Sequence, residues 1–175
     1  MKIRSKISPI TVLLVMGSVP AVAATAQLPS IAAGEAIVAT FHAEGAQVYE
    51  CKPDASNTSA SEVNPLTWQF REPIATLILD GKTVGRHFAG PNWDHLDGSG
   101  VRAKVSASAP AATPSDIPHL QLDAVEHRGN GILANVTAVR RINTKGGMLQ
   151  GPCEIAGSYR SVPYSADYVF LRRSD

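Results

Sequence analysis

The chain has 175 residues, with Lys+Arg 16 against Asp+Glu 15 and a formal charge of +1. That balance excludes a general nucleic-acid binder, which needs a strong basic excess. Hydrophobic residues at 44% can build one core, and the length suits one domain at about 100–200 residues each. Two cysteines are too few for a zinc ribbon, an iron–sulfur cluster or a multiply stapled mini-protein.

The first segment carries a targeting pattern. Lys2, Arg4 and Lys6 precede an apolar stretch over 10–22, and Ala21-Val22-Ala23 and Ala24-Thr25-Ala26 both fit small-residue cleavage sites. Pro9, Gly17, Ser18 and Pro20 interrupt the run, which is short of the about 20 unbroken apolar residues of a membrane span. Residues 1–26 therefore read as a signal peptide, cleaved after Ala23 or Ala26, and 27–175 as a single β domain. Cleavage after Ala26 leaves 13 cations against 15 acids, a formal charge of −2. The expected product is secreted or periplasmic, with no membrane span in the mature chain and no nucleic-acid partner.

Export sets how the cysteines read. Cys51 follows the strand-like Ala46-Gln47-Val48-Tyr49-Glu50, and Cys153 follows the turn Gln150-Gly151-Pro152. Neither has a C-x-x-C neighbour, so in an oxidising compartment they are expected to pair with each other.

Along the mature chain, period-2 alternation replaces any sustained 3.6-residue period. Short strands are expected over 36–41 and 46–51, broken at Glu44-Gly45, with a polar loop over 57–61. Thr67-Trp68-Gln69-Phe70 precedes the apolar run 74–79, and Asp80-Gly81 then signals a hairpin into 83–88. Over 117–125, Leu120, Leu122 and Ala124 share one face. Ile132, Ala134, Val136 and Ala138 share another, opposite Asn135, Thr137 and Arg141. Tyr164, Ala166, Tyr168 and Phe170 alternate near the end. One wet face per strand fits antiparallel sheets. The expected fold is all-β, an antiparallel β-sandwich or small β-barrel of about nine short strands with little helix.

Several segments carry a family resemblance together. They include Gly45-Ala46-Gln47-Val48-Tyr49-Glu50-Cys51 and Val84-Gly85-Arg86-His87-Phe88-Ala89-Gly90-Pro91-Asn92-Trp93, then Asp97-Gly98-Ser99 and Ile117-Pro118. The stretch from Val136-Thr137-Ala138 to Lys145-Gly146-Gly147 follows, with Cys153 and Val162-Pro163-Tyr164-Ser165-Ala166-Asp167-Tyr168. This ordered set resembles the secreted bacterial and fungal proteins of domain of unknown function 3455, across essentially the whole mature chain. The resemblance implies a secreted single domain and no particular activity. His95 and His119 depart from the family pattern, so chemistry resting on them would be peculiar to this chain.

The densest chemical cluster runs over 86–97. It sets the cation Arg86, the imidazole His87, the indole Trp93 and the carboxylates Asp94 and Asp97 around a Gly-Pro turn. Polar groups on loops of a rigid scaffold are where binding sites concentrate. The ligand-binding candidates are Arg86, His87, Trp93, Asp97, Tyr164 and Tyr168, with flat aromatic faces for a small molecule or sugar. The resulting expectation is a cell-envelope or secreted binding or structural module. The alternative is a small extracytoplasmic enzyme with His87 as acid/base, Arg86 as anion anchor and Asp94 as a further catalytic candidate. His87, Asp94, His95 and Asp97 have the composition of a metal site. No H-x-H or H-E-x-x-H spacing fixes one, so neither a metal nor a cofactor is expected.

Overall fold

The computed structural model describes residues 27–54 and 65–173. The signal-peptide assignment over 1–26 and the polar loop over 57–61 lie outside the described residues. Eight antiparallel strands follow one another around a closed barrel. They are β1 (Glu35–Pro53), β2 (Leu66–Leu79), β3 (Lys82–Phe88), β4 (Asn92–His95), β5 (Gly100–Ala109), β6 (His119–Arg128), β7 (Ala138–Gly146) and β8 (Tyr159–Arg173). Each strand pairs with its neighbour in sequence, and β8 returns to β1 with Tyr164 opposite Gly45. The all-β, antiparallel class stands. Closure, which removes free sheet edges, makes it a barrel.

Eight strands stand against the expected nine or so: two apparent breaks are not turns, while β4 and β5 are not among the strands read from the sequence. Glu44-Gly45 lies inside β1, which runs unbroken for 19 residues. A Cβ on Gly45 would fall 2.0 Å from the Ile74 carbonyl oxygen and 2.5 Å from the Ala75 Cα. Glycine is there to let β2 approach closely. Pro73 likewise lies within β2. Pairing of β2 with β3 begins only at Ala75, so Pro73 occupies a stretch free of β3, where proline is tolerated. The Asp80-Gly81 hairpin is present, with φ of 49° and 73°, both positive as a type I′ turn requires.

The alternation over 132–136 belongs to a turn, and the strand begins later, at Ala138. The backbone N–H of Ile132 donates to Asp97 Oδ2 at 2.7 Å and that of Leu133 to Ser99 Oγ at 3.1 Å. His127 Nε2 meets the Val136 carbonyl at 2.6 Å. Side chains thus satisfy backbone groups that a sheet ladder would otherwise serve. Leu133 and Val136, both 0% exposed, plug this end of the barrel. Behind them Phe41, Leu77, Val101, Val139 and Phe170 form one core with Trp93.

Asp97 is the hub of the plugged end. It also accepts from the Ser99 N–H at 2.9 Å and the Ser99 hydroxyl at 2.6 Å, and these bonds hold its carboxyl well below the usual carboxylate range. Replacing Asp97 by alanine leaves two backbone donors without acceptors, an expected loss of about 1–2 kcal/mol. Urea unfolding measures it. An unchanged midpoint contradicts the capping role.

Candidate ligand-binding cavity

The end opposite Leu133 and Val136 is hollow. A cavity of about 590 Å³ opens there, within the roughly 300–1,000 Å³ of small-molecule sites. All eight strands line it. Gln47 and Tyr49 come from β1, Trp68, Phe70 and Pro73 from β2, His87 from β3 and Trp93 from β4. Val105 comes from β5, Leu120 and Leu122 from β6, Arg141 from β7 and Tyr168 from β8. Phe70 and Val105, 55% and 51% exposed, place apolar side chains at the rim.

One loop is strapped beside this opening. Met148, Leu149 and Gln150 from the β7–β8 connection face the cavity. The connection is fixed by the disulfide expected from the sequence, Cys51–Cys153, whose Cα atoms lie 5.9 Å apart. The Cys153 N–H donates to the Leu66 carbonyl at 3.0 Å, and the Trp68 N–H to the Gly151 carbonyl at 3.1 Å.

A few polar groups converge inside. His87, 3% exposed, stacks on Trp93 with ring centroids 4.6 Å apart and leans on Tyr168 at 4.8 Å. Its Nδ1–H donates to the Asn92 carbonyl at 2.9 Å, which leaves Nε2 as an acceptor. Burial, helped by the nearby Arg141 cation, lowers its pKa to about 3 against the opposing pull of the Asn92 carbonyl. The imidazole is therefore neutral at physiological pH. Burial also raises the Tyr164 and Tyr168 hydroxyls, which sit 3.3 Å from each other and stay protonated.

Arg141 is the charged group of this interior. Its Nε donates to the Pro118 carbonyl at 3.0 Å, and the Tyr168 hydroxyl lies beside its guanidinium. Among the described residues no Asp or Glu lines the cavity. Among the described residues no carboxylate forms an ion pair with Arg141. The other cation at the cavity, Arg71, is compensated by Glu72 at 3.2 Å. Two further donors, Gln47 Nε2 and Trp93 Nε1, are buried without a hydrogen-bond partner among the described residues.

The residues singled out in the sequence divide between the two faces of the barrel wall. His87 and Trp93 lie opposite each other on β3 and β4 and line the cavity with Tyr168. Tyr164 is buried and reaches the site through the Tyr168 hydroxyl. Arg86 and Asp94 also pair across β3 and β4, but strand alternation turns them to the outer face. There Arg86 donates to Asp94 at 3.1 and 2.8 Å, and Arg128 donates to the other Asp94 oxygen at 2.5 Å. Asp97 stays at the plugged end. Arg86, Asp94 and Asp97 thus do not converge with His87. Among the described residues no three His, Cys, Asp or Glu side chains gather as metal ligands.

Sequence reasoning missed Arg141, Gln47, Tyr49, Trp68 and Phe70. The alternation of 132–138, extended through what is a turn, sets Arg141 with Asn135 and Thr137 on a polar face. Counting instead from Val139, which is 0% exposed, puts Arg141 inside. The run Phe41, Ala43, Gly45 likewise puts Gln47 inward once Gly45 is not taken as a break.

A family model described as "Protein of unknown function (DUF3455)" matches residues 32–172. No curated protein and no solved structure matches the chain.

Proposed function

The chain belongs to the DUF3455 family, and we propose that this member is an exported binding protein that carries one small amphipathic molecule inside its barrel. The observation behind this is the open cavity of about 590 Å³, with Phe70 and Val105 exposed at its rim and a wall to which every strand contributes. An apolar hollow with few convergent polar groups is the usual form of a small-molecule site. The disulfide supports an oxidising compartment, secreted or periplasmic. No helix among the described residues is long and apolar enough to cross a membrane.

The neutral dye N-phenyl-1-naphthylamine tests the cavity without presuming charge. Binding should be saturable at one site, with emission enhanced by the dry walls and energy transfer from Trp68 and Trp93. Phe70→Asp and Val105→Asp, both at the exposed rim, should weaken it by about tenfold, the effect of roughly 1.4 kcal/mol. Dye binding unaffected by both rim changes contradicts the reading.

A further inference from the structure

We infer that the natural ligand of the barrel is an acceptor-rich organic monoanion, a carboxylate on an apolar body, with its charged end at Arg141. This rests on the cavity being the ligand site and adds the chemical class. Two observations carry it. Arg141 is a cavity-lining guanidinium that no carboxylate balances among the described residues. Arg141 is part-buried, and a ligand anion in the cavity would supply the counter-charge it lacks. Of the four buried side-chain atoms without a partner among the described residues, two belong to cavity-lining residues: Gln47 Nε2, on a residue 2% exposed, and Trp93 Nε1, on a residue 1% exposed.

Both of those groups are donors, so Arg141, Gln47 and Trp93 together present N–H bonds and ask for oxygen acceptors. On the protein side, His87 Nε2 is an acceptor at the site. Among the described residues the lining has no acid that would repel an anion. One uncompensated cation matches one negative charge. The planar guanidinium fork suits a carboxylate, which it can engage through two parallel bonds. The apolar walls, Leu120, Leu122 and Val105 among them, take up the remainder of the ligand.

Competition against bound N-phenyl-1-naphthylamine separates the inference from the cavity reading. Decanoate, decan-1-ol, decyltrimethylammonium and decyl phosphate share one tail and differ in head group. Decanoate should displace the dye about tenfold to a hundredfold better than the alcohol, the range of a charge-assisted hydrogen bond. The ammonium should be the weakest competitor. Arg141→Met should erase the preference for decanoate over decan-1-ol, and Arg141→Lys should restore part of it. If Arg141→Met does not fold, the wild-type ranking and the lysine variant still decide.

Equal displacement by acid and alcohol, with the dye bound, overturns the anion inference and leaves the cavity reading standing. A clear preference for decyl phosphate over decanoate overturns the carboxylate assignment. Absence of both dye binding and calorimetric decanoate binding overturns the cavity reading and the inference together.

Discussion

Removing the cross-link with Cys51→Ala and Cys153→Ala should destabilise the protein by about 4–5 kcal/mol, the chain-entropy value for a loop of this length. The two cysteines are 102 residues apart, so the bond restrains most of the unfolded chain. Domains of this size are stable by only about 5–15 kcal/mol, so a large share of the total is at stake. A local effect should accompany the global one. Met148 and Leu149 face the cavity from the loop that Cys153 pins, and without the bond dye affinity should fall as well. Guanidinium unfolding of wild type and double variant measures the first effect. Coincident midpoints contradict it.

Acid should unfold the protein sooner than its carboxylates alone require. His87 is neutral in the fold, with a pKa lowered to about 3 chiefly by burial, and returns to about 6.5 when the chain unfolds. Between those values the unfolded chain takes up a proton at this site and the folded chain does not, so stability rises with pH. The stabilisation is complete above pH 6.5 and is lost as pH falls toward 3. Each unit costs about 1.4 kcal/mol, to a limit of about 4–5 kcal/mol. Asp94 and Asp97, whose carboxyls are lowered by their donors, add to the loss only below about pH 4, the ordinary carboxylate range. Comparison with a variant at this position isolates the contribution of His87 between pH 6.5 and 4.5. His87→Gln keeps a donor for the Asn92 carbonyl and does not titrate. Its melting temperature should fall clearly less across that interval than that of wild type. A parallel fall in the variant contradicts the assignment.

The same residue shows what the sequence does and does not disclose. That His87 and Trp93 share one face and Arg86 and Asp94 the other follows from alternation along β3 and β4, and is legible residue by residue. Which face is the inside is not, because both carry an aromatic or a charge. Glycine has two uses in strands, turning the chain or admitting a close neighbour. Gly45 looks the same in either until Ile74 and Ala75 are placed against it. Arg141 was hidden for a related reason. Its position depends on where β7 begins, and that is set by Asp97, Ser99 and His127 capping the preceding turn. The hairpin at Asp80-Gly81 and the Cys51–Cys153 pair were legible because each rests on local backbone chemistry or on a count of two. The cavity was not, since it exists only once eight strands of distant sequence close on one another.

The most direct test of the interior binding site is a two-dimensional ¹H–¹⁵N spectrum of the labelled protein titrated with decanoate. The Trp93 indole N–H and the Arg141 Nε–H should shift together and saturate at one equivalent, while the outer-face Arg86 and Arg128 side-chain signals stay in place. Shifts confined to the Arg86–Asp94–Arg128 cluster, with Trp93 and Arg141 unmoved, contradict binding inside the barrel.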